Sequence, residues 1–138
     1  MTPIIAAALT LLTGQPADGW VWSFYDSGGT AVLAREVPDT EQLAAVLECE
    51  PGSGVVRVTV YGPRARPAFV SVAAGPAEAD AERVEADGLA VRLRLDHPVI
   101  QAFAGGQALT VRADGESASV AAPAGAPLDR FRRACGEA

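Results

Sequence analysis

Two cysteines, a single histidine and eleven basic residues, all of them arginine, are the groups in this chain with the most chemistry to offer. Cys49 ends the run Leu43-Ala44-Ala45-Val46-Leu47-Glu48-Cys49, in which Leu43, Ala45, Leu47 and Cys49 share one face of an extended strand. Cys135 closes the series Leu128, Phe131, Cys135, spaced i, i+3, i+7 as on one face of a helix. Both sulfurs therefore point inward, and in an oxidising compartment a Cys49–Cys135 disulfide is expected. It would close most of the chain into a loop, worth about 4 to 5 kcal/mol by loop entropy. In a reducing compartment the same two residues would be buried thiols acting as small hydrophobes. No C-x-x-C motif is present, so a redox-active pair is not indicated.

Other catalytic chemistries find little footing. His97 stands in Asp96-His97-Pro98, at the start of a short helix that Asp96 is expected to cap. A lone histidine with no His/Cys cluster supports neither a metal site nor a Ser-His-Asp arrangement. Ser53 lies in Gly52-Ser53-Gly54, but Pro51 and Val55 occupy the places where a G-x-S-x-G elbow needs glycine. The chain has no lysine and hence no phosphate loop of the G-x-x-x-x-G-K form. The expectation is a non-enzyme with no catalytic residues, no metal and no cofactor.

Binding chemistry is better represented. Arg57, Arg92 and Arg94, with Arg112, fall at outward positions of strands and would form an arginine stripe if those strands adjoin. Such a stripe suits a carboxylate or phosphate partner. Glu48 and Glu50 flank Cys49 on the outward face, and cross-strand pairing with them would account for the arginines equally well. Trp20, Trp22 and Tyr25 could offer a stacking platform for a sugar, or belong to the core. Trp20, Trp22, Phe24 and Phe69 could instead line an apolar pocket.

The elements that must carry these groups are mostly strands. Leu43–Cys49 and Val55–Tyr61 flank the turn Pro51-Gly52-Ser53-Gly54 as a half-buried hairpin, with Val56, Val58 and Val60 on one face. Before it, Trp20–Tyr25 and Thr30–Val37 flank Asp26-Ser27-Gly28-Gly29 as a second hairpin. Phe69–Ala73 is a short strand ended by Gly75-Pro76. Ala77–Ala86 favours helix by propensity, yet the Asp87-Gly88 turn signal and the alternating Leu89–Leu95 favour a strand at Ala81–Glu85. A helix is expected over residues 97–104, where Val99, Ile100 and Phe103 form a stripe, and another over 127–135 behind Pro127. Leu109–Ala113 and Ser117–Ala121 flank Asp114-Gly115 as a further hairpin.

Composition bounds the rest. With 138 residues, 49% hydrophobic and 20% charged, the chain is expected to fold as one domain with a working core. A net charge of −6 gives non-specific nucleic-acid binding no electrostatic footing. Residues 1–19 hold one charge, Asp18, and the apolar run Ile4–Leu12 is too short to span a bilayer. The run reads as the apolar region of a signal peptide, followed by small residues near Ala17. No later segment could serve as an integral membrane helix. The expected organisation is thus a signal peptide at 1–19 and one β-rich domain at 20–138, periplasmic or secreted.

Three stretches also carry a resemblance. Leu47-Glu48-Cys49, Val99-x-x-x-Phe103 with Leu109-Thr110-Val111, and Leu128-x-x-Phe131-x-x-x-Cys135 together resemble small exported bacterial β-sandwich proteins. Invasion-associated locus B proteins and type VI secretion accessory proteins are the nearest of these. The similarity runs from Leu43 to Cys135 and rests on apolar spacing. It implies an exported, disulfide-bearing β-sandwich with no catalytic residues to carry over. Taken together, the expected fold is mostly β, an antiparallel β-sandwich or partly open barrel of seven to nine strands with two short helices. The expected role is a non-enzymatic envelope domain binding a protein or glycan. The rival reading is a ligand carrier or hydrolase with an aromatic-lined pocket.

Overall fold

The structure is a computed structural model that describes residues 19–136. All but the last residue of the expected signal peptide lie outside the described residues. Nine strands form one antiparallel sheet: β1 (Val21–Ser27), β2 (Thr30–Glu36), β3 (Leu43–Cys49), β4 (Val55–Val60), β5 (Phe69–Ala74), β6 (Ala77–Val84), β7 (Leu89–Arg94), β8 (Leu109–Ala113) and β9 (Glu116–Val120). Among the described residues two helices accompany the sheet, α1 (Pro98–Ala104) and α2 (Gly125–Gly136). The spatial order is β1-β2-β3-β4-β7-β6-β5-β8-β9, and the sheet does not close into a barrel. The expected β-rich class, strand number and pair of helices are all present.

Strand β6 is where the sheet turns. Residues 77–82 pair with β5, while its last two, Arg83 and Val84, pair with Val91 and Ala90 of β7. One strand thus belongs to two halves, β1-β2-β3-β4-β7 and β5-β8-β9, whose inward side chains meet in a single core. Leu33, Leu47, Val58 and Val91 come from the first half, and Val72, Leu109 and Val111 from the second. Strict alternation makes this work, since every second side chain lies on the same face. In β4 Val56, Val58 and Val60 are buried as expected, and in β3 Ala45, Leu47 and Cys49.

Three local expectations need correction. The strand expected at Ala81–Glu85 is longer and begins at Ala77. Helix propensity in Ala77–Ala86 is worth only tenths of a kcal/mol per residue. It loses to a six-pair ladder with β5 that puts Ala77, Ala79 and Ala81 inward and Glu78, Asp80 and Glu82 outward. Second, Asp87-Gly88 is not a two-residue hairpin turn, because the last β6–β7 pair is Val84 with Ala90. Gly88 is required by close packing instead: a Cβ there would lie 2.8 Å from Thr59 Cγ2 and 2.9 Å from the Tyr61 ring. The true two-residue turns are Gly28-Gly29, Gly75-Pro76 and Asp114-Gly115; all four residues of the first and last have positive φ, and in the middle one Gly75 does. Third, Asp96 does not cap α1. His97 does, its Nδ1 accepting the Val99 backbone N–H at 3.0 Å, while Asp96 turns to Arg94.

Helix α2 lies against β1 and β2 and buries Leu128, Phe131 and Cys135. Cys49 and Cys135 bring their sulfurs to disulfide distance, with Cα atoms 5.8 Å apart. The β3–β4 turn completes the junction. Gly52 and Gly54 donate backbone N–H groups to the Ala134 and Cys135 carbonyls at 2.9 and 3.0 Å, satisfying groups that a helix end leaves without partners. The Leu95 N–H in turn donates to the Gly54 carbonyl at 2.8 Å. Turn, helix end and the exit of β7 are therefore fastened together.

Candidate functional site

The pairing of β4 with β7 decides which arginines meet. Arg57 lies directly opposite Arg92, and Arg94 lies opposite Val55, two residues further along the same face. Arg57, Arg92 and Arg94 therefore form the expected stripe. Arg112 does not join them, because β8 pairs with β5 in the other half of the sheet, where Arg112 faces Ser71.

The three guanidinium groups are not equivalent. Arg57 donates to Glu48 across the β3–β4 ladder at 2.6 Å, so part of the predicted cross-strand pairing exists. Arg94 holds Asp96 through two parallel contacts at 2.9 and 3.1 Å. That forked contact, made by a fully charged guanidinium, pulls the Asp96 carboxyl below its ordinary range and raises Arg94 in return. Arg92 stands between them, exposed, with no carboxylate or hydrogen-bond partner among the described residues. Two like charges directly across a ladder repel unless counter-charge is near. Glu48 supplies one such charge for a pair that carries two.

A cleft of about 430 Å³ opens on this face, lined by Glu48, Glu50, Ser53, Val55, Arg57 and Arg92 among others. Its lining is chiefly polar, with carboxylates and guanidinium groups interleaved. A second, shallower cleft of about 530 Å³ lies across the β3–β4 turn, where Gly54, Arg94 and Asp96 face Asp129, Arg132 and Arg133 of α2. Ser53 and Val55 border the first cleft and Gly54 the second, so the fastened turn is the ridge between them.

The aromatic residues are distributed differently. Trp22 and Phe24 are inward positions of β1 and pack against the core. The Trp22 ring meets Phe103 edge-on, centroids 5.9 Å apart, and its indole N–H donates to the Ala121 carbonyl just past β9 at 3.1 Å. That bond spans the gap between the two outer strands of the sheet. Alternation alone could place Trp22 inward, but nothing in the chain order signals contact with Ala121. Trp20 sits just ahead of β1, half-buried. Phe69, 64% exposed on β5, belongs to the other half of the sheet. Tyr25 is an outward residue of β1, 47% exposed, and donates its hydroxyl to the Glu36 carboxylate. That bond, with the charge behind it, raises the Tyr25 pKa.

A further buried patch on the outer face was not foreseen. Ala34, Val46, Thr59 and Ala90 form one cross-strand row, all nearly inaccessible. Beside it Tyr61 donates to Asp87 at 3.0 Å, and burial together with that bond pushes the Tyr61 pKa up to about 12. Small side chains at outward positions were the only signal in the chain for this row.

Among the described residues no group of three or more His, Cys, Asp or Glu could hold a metal ion. None of the described helices is long and apolar enough to cross a membrane. No family model, curated protein or solved structure matches the chain.

Proposed function

We propose that this chain is an exported, non-enzymatic binding domain that holds an anionic protein or glycan partner on the Arg57–Arg92–Arg94 face of β4 and β7. The observation that carries this reading is Arg92: an exposed, uncompensated guanidinium lining a polar cleft, beside two arginines already engaged by carboxylates. A partner carboxylate would find two free donor edges there without displacing an internal pair. The cysteine pair at disulfide distance supports export, since such bonds persist in oxidising compartments. So does the resemblance of the Cys49 and Cys135 stretches to exported β-sandwich proteins. The alternative of a carrier or hydrolase with an aromatic-lined pocket has weaker support, because Trp22 and Phe24 turn to the core and Phe69 faces outward elsewhere.

The test is a titration of the oxidised domain with citrate, followed by NMR of the arginine Nε–H groups. Arg92 is expected to shift first and furthest, and Arg92→Ala to abolish the saturable change elsewhere on the face. A titration that leaves Arg92 unmoved while other arginines saturate would remove the basis of the proposal. Export is tested separately, by fractionating cells of the source organism and counting free thiols in each fraction.

A further inference from the structure

We infer that the two clefts beside the β3–β4 turn form one track for an acidic polysaccharide, entered at Arg57 and Arg92 and continued past Arg94 to Arg132 and Arg133. The inference rests on the proposed reading of the Arg57–Arg92–Arg94 face and deepens it by naming the ligand class and a second subsite. Arg94 is the link. It follows Arg92 on one face of β7, about 7 Å further along at the usual rise per strand residue, and it also lines the second cleft. Arg132 and Arg133 are exposed near the end of α2, in the turn that the Gly52 and Gly54 amides hold. Five of the eleven arginines thus line two adjoining clefts of a chain whose net charge is −6.

The lining selects among polyanions. Glu48 and Glu50 in the first cleft, and Asp96 and Asp129 in the second, alternate with the arginines. Those carboxylates repel a phosphodiester backbone, which offers no donors along its charged edge. A uronic-acid chain offers both parts: carboxylates for the arginines and hydroxyl donors for the acids. An acidic protein would be expected to anchor on a buried aromatic or aliphatic cluster. Among the described residues, the only large apolar side chains lining the two clefts are Val55 and Leu95. The lining therefore favours the sugar.

The experiment uses the full oxidised domain and sodium galacturonate, oligogalacturonates of two to eight units, and poly-L-glutamate, titrated calorimetrically at low salt. Affinity is expected to rise with oligomer length until both clefts are spanned. Arg92→Ala should weaken monomer and oligomer alike. The double variant Arg132→Ala/Arg133→Ala should weaken the longest oligomer about tenfold, as two exposed charge contacts allow. Arg112→Ala, in the other half of the sheet, is the control for general loss of positive charge. If the helix variant binds the octamer as wild type does while Arg92→Ala still weakens it, the track is overturned and the binding face stands. If Arg92→Ala changes nothing, both fall. Poly-L-glutamate binding as tightly as the octamer would overturn the sugar assignment in favour of an acidic protein.

Discussion

Replacing either cysteine by alanine separates a bridge from two well-packed thiols. Cys49 and Cys135 are 86 residues apart in the chain and 4% and 0% exposed. For a loop of that length the chain-entropy relation gives about 4.6 kcal/mol at 25 °C. As separate buried thiols each would cost about 1 to 2 kcal/mol on truncation, and the double variant would cost more than either single one without strict additivity, because the two side chains touch. The two cases therefore predict different arithmetic. With a bridge, Cys49→Ala, Cys135→Ala and the double variant should each lose about 4 to 5 kcal/mol, nearly independent of whether one or both are changed. A urea slope of about 1.5 kcal/mol per molar turns this into a midpoint lower by about 3 M. Against a typical domain stability of about 5 to 15 kcal/mol, that loss is large. Equilibrium urea unfolding by far-UV circular dichroism measures it, with reduced wild type as the fourth sample. Single variants that lose only about 1 to 2 kcal/mol, and a double variant that loses more than either, would refute the bridge.

Three smaller changes test other parts of the fold. Gly88→Ala should cost about 1 to 3 kcal/mol in urea unfolding, because its methyl would press on Thr59 and Tyr61 at 2.8 to 3.0 Å. Adding Thr59→Ser, which removes the nearer methyl, should recover part of that loss, and a cost within 0.3 kcal/mol of zero (roughly experimental scatter) would contradict the packing. His97→Ala should cost about 1 kcal/mol and His97→Asn much less, since asparagine also accepts at a helix start; equal losses would remove the cap. The last concerns alkaline pH. Tyr61 keeps its proton in the fold up to about 12 rather than 10.0, so above pH 10 the unfolded chain binds fewer protons and stability falls with rising pH. Solvent screening of this half-buried group reduces the loss to about 1 kcal/mol between pH 10 and 12. Tyr61→Phe should make the decline shallower, and an unchanged slope in thermal melts across that window would exclude Tyr61 as its source.

Much of this architecture was legible because short-range alternation and turn chemistry agree. Val56, Val58 and Val60 had one compatible arrangement, and Asp114-Gly115 one compatible turn. The α1 and α2 stripes, Val99/Ile100/Phe103 and Leu128/Phe131/Cys135, were equally readable, and both are buried. The failures came where neighbours distant in sequence decide. Gly88 looked like a turn glycine but answers to Thr59 and Tyr61 on β4 and just beyond it, and Asp96 looked like a cap but was drawn away by Arg94. The site followed the same rule. Outward positions of Arg57, Arg92 and Arg94 were visible, yet only the β4–β7 pairing brings them together and leaves Arg112 apart. Nothing local in the sequence ties Arg132 and Arg133 to that face, because the contact runs through a turn nearly eighty residues earlier in the chain (an approximate spacing set by the fold, not by local propensity).

The division of β6 between two neighbours gives the molecule a line of weakness with a definite position. Most adjoining strands are stitched by ladders of four to seven pairs, but β6 and β7 share only Arg83 with Val91 and Val84 with Ala90. A load pulling the two halves apart would act on that short seam, on the shared core and on the Trp22 indole at the far gap, and one side of the seam is β7, where Val91 is chain neighbour to Arg92. The face made by β3, β4 and β7 thus borders the seam directly, so any opening of the sheet there reaches the strand that carries Arg92 and Arg94 first.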